Sequence, residues 1–382
     1  MSYIFVIFYL LIIHLFLDYL RVYAVIASSA ILILFAGLRY NTGSDYLAYF
    51  NIFQAVVPLS DAENLGLNYI FPVSIFVEPG YLYLISIFKS ITKNFNLFLF
   101  TSSMMITPLY VRFFKVLSKE NFVLLTLLYF STTFMLFDMS GARQFFAFGF
   151  QCLSLTHLIR NQTKRMIIAF LLGSLFHISI FLLLPVLYYA KRDYPRWVFI
   201  SLLMISWFVF ILSSNSQLLG FVIDGLGFLF PDLLVLKLAA ANDSDFVSSS
   251  RRINLTYIIY NIFIFVFITN KRFININHYI IMRNLSILYV IYVSVFAFSE
   301  DFSVRVSSYL HFAPLLIVLI IIQRIIADYS IRLIAIAFLS ICFLRNIFFD
   351  ERFIMYQPYE SYLECILVRC DEHKVDKYNN LE

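Results

Sequence analysis

Residues 22–38, VYAVIASSAILILFAGL, run without a charge straight into Arg39-Tyr40-Asn41-Thr42-Gly43-Ser44-Asp45-Tyr46-Leu47-Ala48-Tyr49-Phe50. The first string has nearly the length that a helix needs to cross about 30 Å of hydrocarbon, roughly 20 residues. The second packs a cation, an amide, a glycine, a carboxylate and three tyrosines into one short exit loop, and a lipid-facing helix requires none of them. The pairing predicts a membrane helix that delivers a loop built to hold something.

The rest of the chain resembles the first string. Hydrophobic residues make up 62% and charged ones 13%, with a mean hydropathy of +0.85, far above what a soluble domain carries. Barrel strands would be short and alternating, so the apolar runs predict an all-α, polytopic integral membrane protein. About twelve spans are expected, near 3–18, 22–38, 73–92, 95–112, 121–138, 143–159, 166–189, 196–213, 254–270, 281–298, 305–323 and 331–348. The reading is of one domain, 1–382, without repeat or linker. Polar connections at 39–72 and 214–252 and a tail after Phe349 are its candidate substrate-facing surfaces. Within the first, residues 45–53 predict a short amphipathic helix. Asp224, Asp232, Asp243 and Asp245 make the second a saccharide contact or a cover.

The net charge of +5 resides mostly in short loops, where the positive-inside rule accounts for it without nucleic acid. Cys152, Cys342, Cys365 and Cys370 form no CxxC and no Cys/His cluster, so neither zinc nor a disulfide framework is signalled, and Cys365 and Cys370 pair only if the tail is extracytoplasmic. The run Tyr3 to Leu17 lacks a small-residue cleavage site and reads as the first helix.

Arg160, Lys164 and Arg165, then Lys271, Arg272 and Arg283, then Arg324 with Arg332 mark cytoplasmic turns, leaving the acidic loop 39–72 outside. Two full spans between 73 and 112, followed by one at 121–138, would put that loop and Arg143 on opposite faces. Lys191, Arg192 and Arg196 conflict in the same way with a single crossing by 166–189. Both conflicts predict half-length, re-entrant or broken helices, the second with His177 near its turn, and such breaks are tolerated where they line a cavity.

Arg39 offers a fixed cation with a planar fork of donors suited to phosphate, Gly43 lets the backbone turn or approach a ligand, and Asp45 is a candidate base. The alternative is an Arg39–Asp45 pair that only stabilises the loop. In Ser140-Gly141-Ala142-Arg143-Gln144, a helix start carries Arg143 and Gln144 side by side, with Gln151 two turns along. Phosphate binding competes there with an Asp138–Arg143 ion pair and a hydrogen-bonding Gln144. His177 is a hydrogen-bonded core histidine or a proton acceptor for a hydroxyl. Arg305 opens a late helix with Tyr309 one turn on, and an acidic neighbour is the competing account of its charge. Glu78-Pro79-Gly80-Tyr81 adds a carboxylate. Three arginines at the outer ends of separate helices are costly unless an anion lies between them.

The blocks Gly37-Leu38-Arg39-Tyr40-Asn41-Thr42-Gly43-Ser44-Asp45-Tyr46, Glu78-Pro79-Gly80-Tyr81, Arg143-Gln144-Phe145-Phe146-Ala147 and Leu175-Phe176-His177, in this order, resemble the EpsG-like family of Wzy-type polysaccharide polymerases. The resemblance covers roughly residues 30 to 190, with Arg305 a looser match and Ser44 standing where the family often has Thr. It implies a bacterial inner-membrane glycosyltransferase of GT-C-like architecture. Such an enzyme joins undecaprenyl-pyrophosphate-linked oligosaccharide repeat units, donor and acceptor both lipid-linked, at the periplasmic face for O-antigen, capsule or exopolysaccharide. A flippase and a chain-length regulator of the same pathway are the implied protein partners. On this resemblance Arg39, Arg143 and Arg305 hold pyrophosphate, His177 or Asp45 deprotonates the acceptor, and Asn41, Tyr46 and Tyr49 contact sugar or orient the loop. Glu78, Gly43, Gln144 and Tyr309 complete the substrate-binding set. The one Asp-x-Asp, Asp243-Ser244-Asp245, lies in the loop 214–252 and the sequence has no His cluster; the resemblance implies a reaction without metal or cofactor, and inversion is expected by analogy. A transporter or flippase of a lipid-linked sugar and a membrane acyltransferase acting on surface sugars are the rivals. The first is disfavoured by polar groups at outer helix ends and the missing repeat, the second by the arginines.

Overall fold

The computed structural model describes residues 3–17, 20–61, 77–213, 255–297, 299–349, 356 and 359–363. Among these the backbone is helical without a strand, as the all-α reading requires. The loop 214–252, residues 62–72 of the first loop, Cys365 and Cys370 lie outside the described residues.

In chain order the helices are α1 (Tyr3–Leu17), α2 (Arg21–Gly37), α3 (Tyr46–Ala55), α4 (Pro79–Lys89), α5 (Phe95–Leu117) and α6 (Phe122–Thr132). A π-helical turn, Met135–Ser140, leads into α7 (Ala142–Ile159) and α8 (Thr163–Ser174), followed by a 3-10 turn, Ile178–Leu183, and α9 (Leu184–Tyr189). Then come α10 (Arg196–Ser213), α11 (Leu255–Thr269), α12 (Tyr279–Val295), α13 (Glu300–Ser308), α14 (Phe312–Ile325) and α15 (Tyr329–Phe349).

The chain forms two compact units. The first contains Met1–Val116, Phe130–Ile178 and Ala337–Glu382. Here α1 packs on α2, and α7 packs on α8 and on the π-helical turn. Close approach to α5 depends on small residues, because a Cβ at Gly37 would lie 2.8 Å from Phe100 Cα and one at Gly149 would lie 2.5 Å from Ile106 Cγ2. Helix α7 stops where Asn161 adopts φ 60, a left-handed position that asparagine tolerates.

The second unit contains Leu117–Tyr129 and Ser179–Ile336. Its central helix is α12, which touches α9, α10, α11, α13 and α14. One end is held by basic residues. Arg283 donates to the Asp193 carboxylate at 3.0 Å, Asn284 donates to the carbonyls of Tyr189, Ala190 and Arg192, and Arg196 reaches the Thr269 carbonyl at 3.5 Å. The turns around 190, 270 and 280 therefore share one end of this unit, as their charges suggested.

The long apolar runs become helices, but several are interrupted. The span expected at 73–92 yields only the 11 residues of α4, about 16 Å and half a membrane thickness. The span expected at 166–189 breaks after Ser174, with His177 in the gap before the 3-10 turn. The run at 305–323, expected as one helix begun by Arg305, instead bends by 65° between Ser308 and Phe312, which puts Arg305 in the last turn of α13. Among the described helices α5 alone is long and apolar enough to cross a membrane by itself, and the shorter apolar ones have 10–17 residues. The structure supports the all-α class without reproducing twelve full crossings.

Candidate active site

The exit loop begins where α2 runs out of apolar residues. Asn41 at φ 46 and Gly43 at φ 115 turn the chain, and a Cβ on Gly43 would sit 2.3 Å from the Met139 carbonyl oxygen. Only glycine fits there, for both reasons. What approaches Gly43 is the π-helical turn, and the next residue confirms the contact, since the Ser44 amide donates to Ser140 Oγ at 3.1 Å.

Arg39 is 3% exposed. Its Nη1 donates to the Ala36 carbonyl at 2.6 Å, and its Nε is buried without a hydrogen-bond partner. The guanidinium borders a cavity of about 10 Å³, room for about one water, lined also by Ser102, Ser103, Asp138 and Phe145. Asp138 is equally buried and accepts from the Tyr110 hydroxyl at 2.8 Å. Burial pushes the Arg39 guanidinium below its ordinary value, opposed by the phenols of Tyr46 and Tyr359, by Asp138 and by Tyr81. Asp138 is the acid among these groups, and it shares the small cavity with Arg39. Asp45 is half-exposed, accepts from Ser44 Oγ at 3.3 Å and precedes α3.

A second cation lies at the start of α7. Arg143 Nη1 meets Glu78 Oε2 at 2.7 Å, with 24% and 14% of their side chains exposed, and its guanidinium stands 6.0 Å from the Tyr49 ring centre. Glu78, not Asp138, is therefore its acidic partner. The other oxygen, Glu78 Oε1, accepts from the backbone amide of Ile178 at 3.3 Å. Gly80 donates to the Leu175 carbonyl at 2.9 Å, and a Cβ there would lie 2.6 Å from that oxygen. Phe176 stacks on Phe146 and Phe150 of α7, with ring centres 4.7 and 5.5 Å apart. The half-buried His177 is thus bracketed by anchored neighbours, and the residue after it touches the carboxylate paired with Arg143. The structure brings together Glu78, Arg143, Tyr49 and the His177 segment. Gln144 is buried beside them on α7.

Helix α3 turns Tyr46, Tyr49 and Phe53 inward at helical spacing. Tyr49 meets Tyr81, and Tyr46 donates to Asn96 Oδ1 at 2.9 Å. Asn41 is buried in the loop before it. The helix ends on a lysine: Lys89 Nζ donates to the carbonyls of Phe53, Gln54 and Val56 at 2.9, 3.0 and 2.6 Å. These are terminal carbonyls that the helix itself leaves unsatisfied.

Tyr356 and residues 359–363 close over this loop. Tyr40 donates its amide to the Glu360 carbonyl at 2.8 Å, Tyr362 to the Leu38 carbonyl at 2.7 Å, and Arg39 and Ser361 form an antiparallel bridge. The Tyr359 hydroxyl donates to the Phe35 carbonyl at 2.7 Å, and Tyr356 bonds Ser140.

Arg305 and Tyr309 belong to the second unit. Arg305 is exposed near the end of α13, and Tyr309 is fully buried at the bend, its hydroxyl 3.0 Å from Ser179 Oγ.

Tyr110, Lys89 and the strap of Tyr356, Tyr359 and Tyr362 escaped the sequence reading, which weighed Asp138 only as a partner of Arg143. Asp138 alone carried a usable signal, as an acid inside an apolar run. The others act through contacts distant in sequence. A family model, that of the EpsG family, matches residues 22–361. No curated protein and no solved structure matches the chain.

Proposed function

The chain belongs to the EpsG family, and from that premise we propose that it is a polysaccharide polymerase, a glycosyltransferase of the multi-pass inner membrane with its active site toward the periplasm. It joins oligosaccharide repeat units carried on undecaprenyl pyrophosphate. The hydroxyl of the incoming lipid-linked unit attacks the anomeric carbon of the growing chain. A new C–O bond forms, the bond to pyrophosphate breaks, and the leaving lipid pyrophosphate takes the electron pair. The hydroxyl proton passes to His177 or Asp45.

The observation that carries this reading is the ion pair of Arg143 with Glu78, tied through the Ile178 amide to the helix break that holds His177. It joins a partly exposed cation with a titratable ring at a backbone discontinuity, which suits charge building on a leaving pyrophosphate. Arg143 is the cation suited to touch phosphate. Arg39, at 3% exposure, supplies positive potential from behind the exit loop. The reaction proceeds with inversion and without metal in this proposal.

The test is the length distribution of surface polysaccharide in a polymerase-deficient bacterium making the matching repeat unit. It is complemented at equal membrane abundance with wild type, Arg39→Ala, Arg143→Ala, His177→Ala or Arg305→Ala. A ladder restored by wild type and lost in the first three variants is expected. Single repeat units at the surface with wild type, together with altered export or acylation across the panel, would overturn it in favour of a transporter or acyltransferase.

A further inference from the structure

The first unit carries a second cluster, away from the Arg143 pair, in which tyrosine rings and amides meet at the surface. Tyr40 in the exit loop and Tyr362 in the C-terminal strap face each other with ring centres 6.4 Å apart and planes inclined by 31°. Asn94 Nδ2 donates to the Tyr362 hydroxyl at 2.8 Å, and Asn94 Oδ1 accepts from the Leu97 amide at the start of α5. Tyr46 supports Tyr40 edge-on from beneath and holds Asn96 through its hydroxyl. Tyr40, Tyr362, Asn94 and Asn96 are all half-buried, whereas ring pairs that only fill the core, such as Tyr81 with Phe98, are shut away from the surface.

Partly exposed amides against hydrocarbon would be costly, so this face is suited to water or a polar ligand. Flat rings bordered by amide donors and acceptors match one chemistry well. A pyranose lays its C–H face on an aromatic ring and offers neighbouring hydroxyls to an amide, which both donates and accepts. The platform is also tied to Arg39, because Tyr40 follows it and the strap bearing Tyr362 pairs with it at Ser361.

We propose that Tyr40, Tyr362, Asn94 and Asn96 form a saccharide-binding platform that takes a pyranose unit of the glycan substrate, a reading that rests on the proposed polymerase function for the choice of glycan. The plain competitor is an interfacial tyrosine belt, which would use the rings and have no need of the amides.

The experiment uses the full chain in lipid nanodiscs. The probe is the oligosaccharide released by mild acid from the host's own lipid-linked repeat unit, and binding is followed by saturation-transfer NMR. Tyr362→Leu removes the ring, and Asn94→Asp keeps the cap oxygen on Leu97 while removing the amide donor that the platform offers to a sugar hydroxyl. Each should weaken binding about tenfold. Tyr362→Phe, which keeps the ring, should stay close to wild type and guards against a folding artefact. Arg143→Ala should bind the free sugar normally, since the sugar lacks pyrophosphate. Equal binding by wild type, Tyr362→Leu and Asn94→Asp, or no binding by wild type at millimolar probe, overturns the platform and leaves the polymerase assay standing. Glycan binding lost in Tyr362→Leu from a protein that makes no ladder overturns the polymerase and supports the platform.

Discussion

At the scale of single residues, Arg39 and Asp138 are both buried on one small cavity, where each charge favours the other. Removing one partner of a buried charge pair leaves the other uncompensated, and such truncations cost about 3–5 kcal/mol. Asp138→Ala is therefore expected to lower the unfolding temperature in detergent strongly and to abolish polymer formation. Tyr110→Phe, which strips one hydrogen bond from the same carboxylate, should cost about 1.5–3 kcal/mol. A variant Asp138→Ala as heat-stable as wild type would refute this coupling of the two charges. Gly43 is the second residue of this kind. With φ 115 and the Met139 carbonyl 2.3 Å from any added Cβ, Gly43→Ala must shift the π-helical turn that carries Asp138. It should lose stability by more than the roughly 1 kcal/mol of an ordinary glycine substitution, read from the same thermal scan.

At the scale of elements, α3 is a short helix made stable by what surrounds it. Ten residues are too few to hold a helix alone, so packing of Tyr46, Tyr49 and Phe53 and the three bonds from Lys89 must supply the difference. Lys89→Met keeps the stem and removes the donors. Faster amide exchange across residues 46–55 is expected, with α5 and α7 still protected, and unchanged exchange would show that the cap is dispensable. The helix itself was legible, because its aromatic residues recur at helical spacing after a turn rich in Gly, Asn and Asp. The break at His177 was legible too, since the positive charges around 191–196 conflict with a continuous crossing. The bend at 309–311 had a local signal that the expected single helix passed over, since Pro314 has no N–H for the Leu310 carbonyl and its ring opposes a helix through that turn. The pairing of Arg143 with Glu78 was not readable, since Asp138 is nearer in sequence and the choice depends on where α4 and α8 meet.

At the scale of the whole molecule, the family match begins within α2 and ends at Ser361, and the exit loop and the strap close on each other near those two limits. The Arg39–Ser361 bridge, the Tyr40–Glu360 and Tyr362–Leu38 bonds and the Tyr3 hydroxyl on the Tyr356 carbonyl join the beginning of the chain to its end. These bonds tie the loop to residues more than 300 positions away, so its conformation depends in part on them. A chain stopped after Phe349 keeps every apolar helix described above and should reach the membrane at normal abundance. It should nonetheless become cleavable by protease within residues 39–45 and lose polymer formation, because Arg39 and Gly43 would no longer be fixed. Stopping after Leu363 instead retains the strap and should preserve both protection and activity. A full-length ladder from the shorter chain would mean that the exit loop holds its shape by its own turns, and the role assigned to the strap would fall.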